Sequence, residues 1–159
     1  MKDLILKIRN QTGAGIMDIK EALEASGGDE AAALAELAKK GKAIAAKRAE
    51  RTAGEGWIGS YVHQNGKIAG MVKLACETDF VARNAEFQAL AHDIAMHIAA
   101  TNPACVSEAD ALLGTAEADM LLNQAFIKDS SKTIRGLVEA ASAKIGEKIE
   151  IAGFSRMEM

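Results

Sequence analysis

Apolar residues recur at helical spacing through the first forty positions of the chain, in three stripes. Glycine-containing breaks at 12–15 and 26–28 separate the stripes. Asp29 is a good N-cap for the third stretch, and Gly41 is expected to end it. The pattern predicts three short helices over residues 1–41, a size typical of a small interaction module.

Residues 42–55 are rich in alanine and basic side chains. A nucleic-acid-binding arm is one interpretation of this composition. No aromatic side chain interleaves with the charges to stack on bases, however, and the whole chain is acidic. A solvated connector helix is therefore favoured, and direct contact with nucleic acid is not expected.

Alternating apolar and polar residues predict strands farther along the chain. The pair Asn65-Gly66 lies between two such runs, at 57–63 and 67–77, and this is a strong signal for a β-hairpin. A third alternating run closes the chain at 148–159. One face of the second strand is expected to be buried; it carries Ile68, Gly70, Val72, Leu74 and Cys76.

The helices of this second part are predicted from caps and stripes. A long apolar stripe follows residue 84 and ends near Asn102-Pro103. The sequence at 107–110 resembles a capping box for a short helix, and Ser130 or Ser131 is expected to cap the last helix. We expect a three-stranded antiparallel sheet with helices on one face, an α+β core over residues 56–159.

A strand-to-helix corner joins the second strand to the long helix. It carries Thr78, Asp79, Phe80 and Val81, so an acid and a large aromatic ring are adjacent there. One interpretation makes Phe80 a buried anchor for the next helix, since large rings are usually hidden. The other makes it a protruding wedge for a partner protein.

Composition and motifs limit the chemistry. The 159 residues carry a net charge of −3, and only 4% of them are aromatic, which does not favour a large aromatic-lined pocket. Two cysteines are too few for a zinc site, and His92 and His97 are five apart, where a helical metal pair needs four. No catalytic residue, metal or cofactor is therefore expected.

Two further patterns bear on nucleotide binding and on location. The G-x-G-x-x-G match at 54–59 precedes a strand instead of a helix, so it does not predict nucleotide binding. No apolar run approaches the roughly 18 residues of a membrane span. A cytoplasmic protein is expected.

Two motifs carry a resemblance to a known family. The sequence IRNQTGAGIMDIKEAL at 8–23 resembles the N-terminal signature of bacterial translation elongation factor Ts. The sequence ETDFVARN at 77–84 is similar to the core motif of the same family. The two motifs stand in the family's order, with the basic alanine-rich segment between them.

The resemblance implies a guanine-nucleotide exchange factor that binds elongation factor Tu in its GDP-bound and nucleotide-free forms. It implies that residues 1–41 are a module like a ubiquitin-associated domain, which contacts Tu through Ile8, Ile16 and Met17. From spacing alone, Met17 suits core filling equally well. The segment Thr78–Val81 is then expected to enter Tu near its nucleotide and magnesium, with Phe80 as the wedge and Asp79 as its polar neighbour.

The chain also departs from the family. Ala75 stands where members often have Asn, and little sequence lies between Ser107 and Leu121. The chain carries one core unit where long members carry two, and an open edge on its last strand permits a homodimer.

Three other functions remain open at this point. The chain can be an adaptor that uses only the three-helix module, which predicts that Asp79 and Phe80 are dispensable. It can bind nucleic acid through its basic segment. It can also be a hydrolase using Cys76, although the strand pattern places that thiol on the buried face.

Overall fold

Six α-helices and five β-strands make up residues 2–159, the part of the chain that the computed structural model describes. The helices are α1 (Lys2–Thr12), α2 (Ile16–Ala25), α3 (Glu30–Ala49), α4 (Asp79–Ala82), α5 (Ala85–Thr101) and α6 (Ile134–Ile145). The strands are β1 (Glu55–Val62), β2 (Ile68–Cys76), β3 (Ala125–Phe126), β4 (Asp129–Thr133) and β5 (Glu150–Glu158). They form two compact units.

The first unit is helical and contains the chain up to Arg51 together with residues 142–147. The Asp29 side chain accepts a hydrogen bond from the backbone N–H of Ala32 at 2.7 Å and caps α3 as predicted. A small core joins the three helices, consisting of Ile5, Ile8, Ile19, Ala22, Leu23 and Ala33. This confirms the three predicted helices and their shared apolar faces.

The predicted end of the third helix at Gly41 is wrong, because α3 continues to Ala49. Gly41 does not have the positive φ of a helix-ending glycine. A single glycine costs a helix only about 1 kcal/mol, and the alanine-rich sequence that follows is a good helix former. The segment 42–55 therefore begins as the second half of α3, and the limits 1–41, 42–55 and 56–159 remain a proposed division into domains.

The second unit is built on a three-stranded antiparallel sheet in the order β1-β2-β5. The hairpin between β1 and β2 and the third strand were both predicted, and the α+β class is confirmed. Helix α5 packs across one face of this sheet. The buried face of β2 includes Val72, Leu74 and Cys76, all of which are fully buried.

Two local predictions in this unit are wrong. Residues 107–110 form a turn and not a helix: the Asp110 carboxylate accepts bonds from the N–H groups of Val106 and Ser107, but no helix continues from them. Helix α6 is not capped by Ser130 or Ser131, which lie in β4. Its first turn is closed by Thr133, whose hydroxyl accepts the N–H of Gly136 at 3.0 Å.

Candidate functional site

The corner between β2 and α5 is a short helix, α4, that begins directly after Thr78. The Thr78 hydroxyl accepts a hydrogen bond from the N–H of Val81 at 3.4 Å, which caps this helix. Asn84 then caps α5 by accepting bonds from the N–H groups of Glu86 at 2.8 Å and Phe87 at 3.4 Å. Two capping residues six positions apart therefore turn the chain sharply between strand and long helix.

Phe80 stands out from this corner with 81% of its surface exposed. Phe87, which follows it on α5, is fully buried. The interpretation of Phe80 as a buried anchor is therefore wrong, because Phe87 occupies the core position at the start of the helix. A ring exposed to this extent is available for contact with another protein, where aromatic side chains are enriched.

Asp79 and Val81 flank the ring. The Asp79 carboxylate forms an ion pair with Arg83 at 3.4 Å, and about half of its side chain remains exposed. Exposed pairs of this kind contribute little to stability, so Asp79 can exchange this partner for another at small cost. Val81 is half-buried and Ala82 is buried, so the corner presents a polar group and a ring above an apolar base.

The three residues expected to contact a partner in the helical unit are placed differently from one another. Ile16 and Met17, at the start of α2, are 45% and 66% exposed. Ile8 is fully buried in the core of the unit. Leu6, on the opposite side of α1 from its buried residues, is 55% exposed and was not predicted, although an apolar residue outside the α1 stripe was a visible signal.

A second exposed apolar surface lies on the sheet, on the face turned away from α5. Gly59 and Gly70 point toward α5, so the neighbouring positions in each strand point to the other face. That face carries four exposed apolar side chains, those of Ile58, Val62, Met71 and Met157. We refer to these four residues as the outer sheet face.

The described residues offer little for covalent or metal chemistry. Within residues 2–159 there is no group of three or more histidine, cysteine or acidic side chains that could hold a metal ion. Cys76 is fully buried and its thiol donates to the carbonyl of Thr78 at 3.2 Å, as a structural cysteine does. Burial, together with the nearby carboxylates of Asp110, Glu108 and Asp119, raises the pKa of the Cys105 thiol, which disfavours a reactive thiolate.

Both histidines of α5 are engaged in packing. His92 makes a hydrogen bond to the carbonyl of Ser60 at 2.9 Å, and His97 is buried against Gln124. No helix within the described part of the chain is long and apolar enough to cross a membrane.

The family is shown by comparison with known proteins. A family model described as Elongation factor TS matches residues 2–119. The elongation factor Ts of Oleidesulfovibrio alaskensis is 41% identical over 189 aligned positions, which cover 98% of this chain and 96% of that protein. The corresponding proteins of Desulforamulus reducens and Herpetosiphon aurantiacus are 39% and 37% identical; the alignments cover 98% and 99% of this chain and 87% and 96% of the relatives.

The alignment lengths show that this chain is shorter than its relatives. An alignment of 189 positions is at least 30 longer than this chain of 159 residues, so the relative has that many positions without a counterpart here. This agrees with the short segment between Ser107 and Leu121. The matches nevertheless extend over nearly the whole of each protein. The chain belongs to the elongation factor Ts family, and its role lies in the elongation stage of translation.

Proposed function

We propose that this chain is a guanine-nucleotide exchange factor for elongation factor Tu, and that it works by inserting Phe80 into the GTPase. The observation that carries the proposal is the 81% exposure of this ring on a capped corner. A side chain so apolar gains much by burial in a partner and contributes little to its own fold.

The energetic basis is linkage between two ligands of Tu. A factor that binds nucleotide-free Tu more tightly than Tu·GDP must weaken GDP binding by the same ratio. The GTPase interior is close-packed, so a ring inserted between its elements favours an opened arrangement. The position next to Phe80 supplies a carboxylate, Asp79, that can hold a displaced polar segment of Tu.

A displaced segment of Tu near the magnesium ion explains why one inserted side chain is sufficient to release GDP. The metal ion offsets much of the phosphate charge of GDP, so disturbing its coordination weakens the nucleotide where it is held most strongly. This mechanism makes and breaks no covalent bond. It therefore needs no catalytic residue, and the factor acts without a cofactor of its own.

The helical unit supplies the docking contacts in this proposal. Ile16 and Met17 lie side by side at the start of α2 and are exposed, which suits direct contact with Tu. Ile8 contributes from inside, because its fully buried side chain supports α2 through the core that includes Ile19 and Leu23. The flexible thioether of Met17 adapts well to an irregular partner surface.

The proposal includes a homodimer formed through the outer sheet face. In the described residues β5 lies at an edge of the sheet, so edge pairing is open to it. Face-to-face packing is favoured because it buries Ile58, Val62, Met71 and Met157, which edge pairing leaves in water. One face pairing with itself satisfies two-fold symmetry, and a second copy supplies the core unit that long family members carry in duplicate.

The test is GDP release from Tu loaded with a fluorescent GDP, followed by stopped flow. We expect strong acceleration by the unmodified chain. We expect Phe80→Ala to remove about 2 kcal/mol of transition-state stabilisation, a roughly thirtyfold slower release. Leu112→Ala is the matched control, because Leu112 is 82% exposed and is assigned no contact.

The same experiment separates exchange from the adaptor function. An adaptor binds through the helical unit alone, so its binding to Tu or any other partner is indifferent to Phe80. If the unmodified chain does not accelerate GDP release, the exchange proposal is wrong and the adaptor becomes the better one. The cytoplasmic location and the absence of nucleic-acid contacts remain predictions.

A further inference from the structure

We propose that Glu77 is a positioning residue for Phe80, because its carboxylate ties the corner to the beginning of the C-terminal strand. This inference rests on the proposed exchange function and deepens it: it identifies what directs the wedge. Glu77 lies next to Thr78, the residue that begins the corner, but it has no place among the partner contacts proposed above.

The geometry joins two distant parts of the second unit. Glu77 Oε1 accepts a hydrogen bond from the backbone N–H of Lys148 at 2.6 Å, across 71 positions of sequence. Lys148 lies two residues before β5 begins, and its own ammonium group forms an ion pair with Glu150 at 3.3 Å. Glu77 is half-buried, and a hydrogen bond that a backbone N–H donates to a carboxylate is stronger than one between neutral groups.

Helix α4 needs such support because it has only four residues. A single helical turn is not stable by itself, because forming it fixes several backbone dihedrals and gains only one or two hydrogen bonds. Side chains outside α4 support both of its ends. Before the helix, Glu77 is held by its hydrogen bond with Lys148. At the last residue of the helix, the carbonyl of Ala82 accepts a hydrogen bond from Nε2 of Gln88 on α5 at 3.2 Å.

The direction of the Phe80 ring depends on this framework. The ring is 81% exposed, so packing against its own protein does little to orient it. Its directions are therefore limited to the rotamers that the backbone of α4 allows. A wedge whose backbone is fixed before binding loses less conformational entropy in the complex, so its insertion is faster.

The experiment compares Glu77→Ala with Glu77→Gln in the complete chain, using Tu loaded with fluorescent GDP. The Gln side chain keeps an oxygen that accepts the Lys148 N–H, whereas Ala removes it. We expect Glu77→Ala to lower the maximal rate of GDP release about tenfold, with the KM for Tu·GDP unchanged. We expect Glu77→Gln to restore the rate to within about twofold of the unmodified chain.

Hydrogen exchange at the Lys148 amide provides a direct measurement of the bond. We expect this amide to lose protection in Glu77→Ala and to keep it in Glu77→Gln. Thr101→Val is the control for general destabilisation, because it removes hydroxyl contacts at 2.9 Å to His97 O and Gln124 Oε1, at the other end of α5. We expect it to lower the thermal midpoint without lowering the maximal rate.

Each contrary outcome is distinct. The inference is overturned if Glu77→Ala releases GDP as fast as the unmodified chain, or if Glu77→Gln is as slow as Glu77→Ala. It is also overturned if Thr101→Val lowers the thermal midpoint as much as Glu77→Ala does and slows GDP release by the same factor. If the unmodified chain itself fails to accelerate release, the exchange function has failed, which is a different result.

Discussion

Gly70 on β2 lies directly against the backbone of Ala95 on α5, so closely that no side chain fits between strand and helix. A Cβ at Gly70 would overlap the carbonyl oxygen of Ala95 and lie 3.0 Å from the amide nitrogen of Ala99. Gly59 meets Ala91 in the same way one strand farther out. The absence of two side chains lets the helix approach the sheet closely.

We expect Gly70→Ala to lower the free energy of unfolding by about 3 kcal/mol, since overpacking a close contact forces backbone shifts. The matched control is Gly153→Ala on β5, where a Cβ has open space around it. Urea unfolding of the two variants measures the difference. Equal stability of the two variants would show that α5 can move away from β2 without cost.

Met17 provides a test of docking that is separate from the wedge. Because its side chain is exposed, Met17→Ala is expected to leave stability unchanged. We expect it to raise the KM for Tu·GDP about tenfold and to leave the maximal rate of GDP release unchanged, since it removes binding that is uniform along the reaction.

The control for this variant is Ile44→Ala, which truncates an exposed apolar residue on α3 of the same unit. Steady-state exchange at varied Tu·GDP concentration separates the two parameters. A fall in the maximal rate with no change in KM would contradict the assignment of Met17 to docking.

His97 is expected to make stability depend on pH. Ile127 N–H donates to His97 Nδ1 at 3.3 Å, and Nε2 lies 2.9 Å from Gln124 Oε1, an arrangement that suits the neutral ring. Burial lowers the pKa of His97 below its usual 6.5, although the Gln124 hydrogen bond opposes this. The unfolded chain therefore binds a proton that the folded chain does not, in the window between the two values.

It follows that the stability from the neutral His97 is complete above about pH 6.5 and is lost as the pH falls toward the lowered pKa. Urea midpoints measured between about pH 8 and about pH 5 should show this fall. His97→Gln should reduce the slope, and His92→Gln on the same helix should keep it. An NMR titration in which the folded His97 ring gains its proton at the usual pH would contradict the prediction.

The outer sheet face is expected to hold two copies together. Sedimentation equilibrium of the unmodified chain should give twice its mass of 16.7 kDa. Val62→Lys places a charge in the buried face of the dimer and should shift the mass to that of one copy. Leu113→Lys, at a fully exposed position that is not part of the β-sheet, should leave the dimer intact.

A single-copy mass for the unmodified chain at working concentration would show that the homodimer proposal is wrong. GDP release measured at the same concentrations then tells whether one copy is sufficient for exchange.

Local patterns predicted most of the regular structure of this chain. Asp29 was predicted as the cap of α3, and Asn102, with a φ of 50°, ends α5 where predicted. Caps, stripes and alternating runs depend on neighbours within a few positions, so they are visible in the sequence. The predictions at Gly41 and at 107–110 are wrong because a glycine or a capping pair does not by itself decide how far a helix extends.

The motif at 77–84 identified the candidate site, but the sequence left two interpretations of Phe80, a buried anchor or a protruding wedge. Spacing could not decide whether Phe80 is buried at the start of the helix or projects from the corner, because it lies outside the apolar stripe of α5. The outer sheet face was also missed, since an alternating strand shows which residues share a face but not what covers that face.

The sequence by itself determined the α+β class, the three helices at the N-terminus, the hairpin at Asn65-Gly66 and the family to which the chain belongs. Only the tertiary structure decided that Phe80 projects into solvent, that the Ile8 side chain is buried and that Glu77 accepts a hydrogen bond from Lys148. The physical reason is distance along the chain. Exposure and long-range hydrogen bonds depend on packing between segments far apart in sequence, such as the 71 positions between those last two residues.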